Sequence, residues 1–192
     1  MLGRERREER REERHDGPAA AGPGPAAGGG VNRYQMRQKM LSIGDDFWIE
    51  NERGEKVYKV DGKALRVRST LIFEDRNGQE LCKIQEKMAR VRDTMDIEDA
   101  SGKTVASVKK AMITPVRERY TVNIQGGPDI DIQGNILSHE YKFEQAGRRV
   151  AEVSQKWFRV RDSYGVEIEP GQNDILILAA TVVVDMIANP GH

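Results

Sequence analysis

The chain is expected to be mainly β: an antiparallel β-barrel of about twelve strands around a buried hydrophobic C-terminal α-helix. Three observations carry this expectation. A strand-turn-strand pattern recurs at a spacing of 24 residues, about a dozen strand candidates lie between Tyr34 and Glu169, and one strongly apolar helix candidate follows them.

The repeat is legible in Phe47-Trp48-Ile49-Glu50, Leu71-Ile72-Phe73-Glu74 and Met95-Asp96-Ile97-Glu98. A glycine follows each Glu by four residues (Gly54, Gly78, Gly102), and apolar residues stand three and six positions beyond it: Val57/Val60, Leu81/Ile84 and Val105/Val108. A fourth copy, one turn residue shorter, runs through Phe143, Glu144, Gly147, Val150 and Val153. Each unit reads as strand, Asn/Asp/Ser/Gly turn, strand, which is a β-hairpin with a short loop. Alternation agrees: Leu65, Val67, Ser69, Leu71 and Phe73 share one face, assigned to the core, while Arg66, Arg68, Thr70, Ile72 and Glu74 share the other. This period is compatible with a solenoid or propeller, but four hairpins with one apolar face curl more readily into a meander or barrel.

The helix candidate is "NDILILAATVVVDMIANPG", with Asn173 or Asp174 as N-cap, Ile175 to Ala188 almost wholly apolar, and Asn189-Pro190-Gly191 as the stop. A helix apolar on all sides belongs inside protein or inside lipid. Its 14 residues rise about 21 Å, short of the roughly 30 Å hydrocarbon layer, and Asp185 weighs further against spanning. The same length suits the bore of a barrel of six- to ten-residue strands, each residue rising about 3.3 Å.

Composition bounds the rest. At 192 residues, one domain and a tail are expected: residues 1–30 as a disordered Arg/Glu tail and Gly/Pro/Ala linker, and 31–192 as the barrel domain. Lys plus Arg and Asp plus Glu each total 31, which argues against a nucleic-acid partner. Cys82 is the single cysteine and His15, His139 and His192 are the histidines, so neither an internal disulfide nor a Cys/His zinc site is expected. The N-terminus lacks an apolar signal segment, and a reducing, cytoplasmic location is expected. With no G-x-S-x-G, H-E-x-x-H or G-x-x-x-x-G-K-[ST] pattern, the chain is read as a non-enzyme with no catalytic residue, cofactor or transmembrane span. Cys82 sits on a strand pattern, "LCKI", rather than in a nucleophile's setting.

Several blocks together resemble a known family: "RYQMRQKMLSIGDDFWIENERGEKVYKVDGKAL" at 33–65, "GPDIDIQGNILSHEYKF" at 127–143, "VSQKWFRVRDSYGVEI" at 153–168 and the terminal apolar segment. In order and over nearly all of 33–189, they resemble the LURP-one-related family within the Tubby C-terminal-like fold, which phospholipid scramblases are thought to share. The resemblance implies a small intracellular protein without established catalysis. In Tubby proteins it implies phosphoinositide binding by basic residues at alternate positions on a strand entering a hairpin. Here Lys63, Arg66 and Arg68 lie in the corresponding stretch, and Lys83 and Lys87 follow on the partner strand.

Those five residues form the candidate anionic head-group site, since clustered Lys and Arg hold phosphates by point-charge and bidentate contacts. The competing structural reading pairs outward Arg and Lys with neighbouring carboxylates. A second signal is a calcium-loop look-alike in "DIDIQGNILSHE", where Asp129, Asp131, Gly134 and Glu140 match EF-hand spacing. Gly126-Gly127-Pro128 forbids an entering helix, so no metal is assigned. Instead Ile130 and Ile132 should point inward, Gly134-Asn135 should turn the chain, and Ile136 should begin a new strand. Three functional readings follow: peripheral binding of an anionic phospholipid or phosphoinositide surface, a protein-interaction module with no lipid role, and scramblase-like lipid handling.

Overall fold

The computed structural model describes residues 30–37, 46–62, 70–86, 94–111, 118–157 and 163–188. Twelve strands are formed: β1 Asn32–Arg37, β2 Phe47–Asn51, β3 Lys56–Asp61, β4 Thr70–Asp75, β5 Glu80–Glu86, β6 Thr94–Asp99, β7 Thr104–Lys110, β8 Glu118–Ile124, β9 Ile130–Asn135, β10 Glu140–Gln145, β11 Arg148–Ser154 and β12 Ser163–Ile168. A single 3-10 turn, Gln155–Trp157, follows β11, and α1, Asp174–Ala188, ends the described chain. Every strand pairs with its sequence neighbours, and β1 closes the cylinder against both β12 and β2. All pairings are antiparallel.

The repeat encodes one hairpin design with a bulge. In β2–β3 the register runs Ile49 to Tyr58, then Glu50 to Lys56, leaving Val57 as the extra residue. The same slip omits Leu81 between β4 and β5, Val105 between β6 and β7, and Val150 between β10 and β11. Two apolar positions three apart cannot share a face of a regular strand; one extra residue lets both Val57 and Val60 turn towards the core. In the turns, Asn51, Asp75 and Asp99 each accept two backbone N–H groups through Oδ1, from residues two and four further on. Gly54, Gly78 and Gly102 then take φ of 75°, 80° and 82°, which glycine adopts without steric penalty. The shorter fourth copy turns through Ala146 and Gly147, both at positive φ, as a two-residue hairpin loop of the primed type requires.

Inside lies α1. Ile177, Leu178, Ala179, Ala180, Val182, Val183 and Val184 are all buried, against Phe73, Ile84, Ile97, Val108, Val122, Ile132, Phe143, Val153 and Val166 of the wall. Asn173 caps the helix, accepting the Leu176 N–H at 3.1 Å. Leu71 and Phe73 face the core as expected; Thr70, assigned to the outer face, is nonetheless buried at its strand's end.

Strand β9 corrects one expectation. Ile130 and Ile132 do point inward, but Gly134-Asn135 completes the strand and the turn falls on 136–139, with β10 starting at Glu140. Gly134 takes φ 148°, a backbone that side-chain-bearing residues rarely adopt, and a Cβ there would stand only 2.4 Å from the Glu140 carbonyl oxygen. Glycine here serves close approach between strands rather than reversal.

Candidate functional site

The strand order separates two rims. At the turn rim, β2–β3, β4–β5, β6–β7, β8–β9 and β10–β11 join through tight turns and β12 passes into α1. At the loop rim, 38–46, 62–69, 87–93, 111–117, 136–139 and 155–162 join the remaining strand ends. These two sets differ in charge. The loop-rim segments carry Lys39, Lys63, Arg66, Arg68, Lys87, Arg90, Arg92, Arg117, Lys156, Arg159 and Arg161 against Asp45, Asp46, Asp93 and Asp162. The turn-rim segments carry Arg53, Arg76 and Lys103 against Glu52, Glu55, Asp129 and Glu169. By sequence, then, the connections between strand ends at one rim are richer in Lys and Arg than those at the other.

The described part of the loop rim is ordered around His139. This residue sits in the left-handed region at φ 47°, a costly backbone for a side-chain-bearing residue. Tertiary contacts hold it there: its ring stacks on Tyr164 at 4.2 Å between centroids, Nε2 lies 3.5 Å from Asp185 Oδ1, and Nδ1 lies 3.4 Å from Gln155 Nε2. The Tyr164 hydroxyl donates to Asp185 Oδ2. Burial first, then the neighbouring carboxylate, holds the Tyr164 hydroxyl well above the usual phenol range. Glu140, next in sequence, accepts from Ser154 Oγ at 2.9 Å and the Gln155 N–H at 3.3 Å, and pairs with Lys156 at 3.4 Å. The turn at 136–139 and the 3-10 turn are thereby locked together. Between these anchors, buried Ile136 faces the core while Leu137 and Trp157 stay exposed at 63% and 36%.

At the turn rim, Asp174 is the matching polar seat for the helix start. Its Oδ2 accepts from Asn32 Nδ2 at 2.8 Å and from the Tyr34 hydroxyl at 2.6 Å. Desolvation raises the Asp174 carboxyl, with those two donors opposing. The helix is thus fixed at both ends by side chains the wall supplies.

Of the predicted head-group residues, Lys63, Arg66, Arg68 and Lys87 lie outside the described residues, as do Val67, Val91 and Val160, expected to face the helix. Lys83 is described: it stands in mid-β5 opposite Ile72 and Glu98, with Nζ 3.9 Å from Glu80. The structural reading of outward cations holds for several others. Lys59 meets Asp46, Asp61 and Glu74, Lys110 meets Glu118, and Arg149 meets Glu152 and Glu169.

The calcium look-alike is dispersed by the fold. Asp129 accepts from Asn123 Nδ2 and the Ile124 N–H in the β8–β9 turn, Asp131 pairs across to Thr121, and Glu140 serves the far end of the neighbouring strand. Antiparallel pairing sets Asp131 opposite Glu144 and Glu140 opposite Asn135, so the three carboxylates cannot converge. Among the described residues no group of three or more potential ligands could hold a metal ion. Cys82 is buried in β5, and burial pushes its thiol up to about 12, the opposite of an activated nucleophile. A cleft of about 270 Å³ is lined by Lys142 with Glu140 and Glu152, an excess of negative charge that does not suit an anionic head group. Sequence reading missed the His139–Asp185–Tyr164 cluster. The available signal was a carboxylate inside an otherwise apolar helix, which demands a polar partner.

The architecture defines a class: a twelve-stranded antiparallel barrel of Tubby-like form, filled by its own C-terminal helix. The sequence model of the LURP-one-related family matches residues 32–185, and the chain belongs to that family. The X-ray structure of a protein from Arabidopsis thaliana has the same fold, with a TM-score of 0.63 at 15% identity, covering 83% of this chain and 92% of that one. No curated protein matches the sequence. Among the described residues, no helix is long and apolar enough to cross a membrane.

Proposed function

We propose that this protein is a non-enzymatic, cytoplasmic barrel that binds anionic phospholipid surfaces peripherally and reversibly, phosphoinositide head groups included. The carrying observation is the sequence of the connecting segments, with eleven Lys and Arg against four Asp between the loop-rim strand ends. Lys63, Arg66, Arg68 and Lys87 belong to segments flanked by Asp61, Thr70, Glu86 and Thr94, which are loop-rim strand ends. Each basic residue near an anionic leaflet contributes about 1 kcal/mol, so four or five acting together suffice for reversible association. Lys83 joins them by exchanging Glu80 for phosphate, at small cost because exposed pairs hold about 0–1 kcal/mol.

The test is vesicle co-sedimentation of the full chain with phosphatidylcholine alone, with added phosphatidylserine, and with added phosphoinositide. Binding is expected only to the acidic vesicles, strongest at low salt, and reduced by Lys63→Glu, Arg66→Glu and Arg68→Glu together. No binding at low salt sinks the reading and leaves a protein partner as the alternative. Scramblase-like handling is disfavoured because α1 would have to leave an interior it fills.

A further inference from the structure

We propose that Leu137 and Trp157 form a prebuilt apolar anchor that enters the interfacial layer of the membrane, beside the cationic head-group contacts. The inference rests on the phospholipid reading and specifies how the loop rim is seated. Among the described residues the exposed large hydrophobics are Val31, Leu137 and Trp157, and the latter two stand on adjoining loop-rim turns. Those turns are bridged by His139 to Gln155 at 3.4 Å and by Glu140 to Ser154, Gln155 and Lys156.

The construction favours exposure. His139 accepts a left-handed backbone, and its N–H closes the turn on the Ile136 carbonyl at 2.9 Å. That turn buries Ile136 and leaves Leu137 outside. A left-handed backbone at buried His139, held by the surrounding contacts, fixes the turn that presents Leu137. Tryptophan and leucine beside a lysine are the side chains that settle at a membrane-water interface. The lysine is Lys156, its side chain 80% exposed. Exposed Lys156, followed in sequence by Arg159 and Arg161, makes an anionic leaflet, rather than an apolar protein groove, the complementary surface.

The experiment combines vesicle binding with tryptophan fluorescence. The full chain carrying Trp48→Phe, which leaves Trp157 as the sole indole, is mixed with phosphatidylserine/phosphatidylcholine vesicles containing a shallow nitroxide-labelled lipid. Quenching and a blue shift of Trp157 are expected, with some binding surviving 0.5 M salt. Leu137→Ser with Trp157→Ser should weaken that surviving binding by about ten-fold or more, with an unchanged melting temperature. Binding at low salt that vanishes entirely at high salt, with Trp157 unquenched, overturns the anchor and leaves head-group binding standing. Equal binding to pure phosphatidylcholine overturns the head-group reading while supporting the anchor. No binding to any vesicle overturns both.

Discussion

Nε2 of His139 lies 3.5 Å from Oδ1 of Asp185, joining a turn between two strands to the helix those strands enclose. Tyr164 completes the contact by stacking on the imidazole and donating its hydroxyl to the same carboxylate. Removing that donor takes a hydrogen bond from a buried carboxylate. Tyr164→Phe is therefore expected to cost about 1.5–3 kcal/mol, read from urea denaturation. A double-mutant cycle with Asp185→Asn should show coupling between the two positions; additive losses would remove this hydrogen bond from the account.

Gly134 permits no side chain. A Cβ there would stand 2.4 Å from the Glu140 carbonyl oxygen and 2.6 Å from Tyr141 Cα, and both are backbone atoms that cannot swing aside. Gly134→Ala should destabilise by about 1–3 kcal/mol or more, the usual range for overpacking. A variant melting within a degree of the parent contradicts the close approach of β9 and β10.

Cys82 should behave as an inert core residue. With its thiol pushed up to about 12 by burial, almost no thiolate exists near neutrality. Ellman's reagent at pH 8 should leave the folded protein unlabelled and titrate one thiol after unfolding. Rapid labelling of the folded chain would disprove the buried setting.

Acid titration should expose two effects of opposite sign. Asp75 and Asp99 are held below the usual carboxylate range, Asp75 chiefly by the Gln79 N–H and Asp99 chiefly by the Ser101 hydroxyl. A depressed folded value contributes stability above the unfolded value of about 3.9, and that contribution disappears as pH falls through the folded value. Asp174 is raised, so its contribution is full at low pH and is lost as pH rises through its folded value. In melting-temperature profiles, Asp75→Asn and Asp99→Asn should soften the decline below about pH 4. Asp174→Asn should act on the less acidic side. Profiles parallel to the parent's would contradict both assignments.

The hairpins, the closed sheet and the internal helix were legible because each rests on a local rule: period-two alternation, a turn residue, or an all-round apolar helix. Gly126 and Gly171 also take positive φ, at 78° and 81°, outside the four regular copies of the hairpin repeat. Ile124-Gln125 precedes the first without the Glu of the other copies, and the second leads into the helix instead of a strand. The turn after β9 was placed two residues early because a Gly-Asn pair resembles a turn signal. The positive φ of Gly134 and the close approach of Glu140 and Tyr141 explain why glycine is needed there. Likewise, the Asp185 carboxylate was visible in sequence, but its meeting with His139 and Tyr164 depends on the barrel bringing the turn before β10 and the start of β12, with β11 between the two strands, to the helix end. The basic residues could be named, whereas the strand ends that flank their segments required the strand order.

Because α1 is the last described element and fills the interior, the filling is the final part of the barrel to leave the ribosome. The closing seam also waits for the end of synthesis: β1 pairs with β12, and Asn32 and Tyr34 reach Asp174 across 142 and 140 residues. Contacts so distant in sequence slow folding and prolong exposure of apolar surface. A nascent chain halted between β12 and residue 174 would hold all twelve strands of the wall without the helix that fills them.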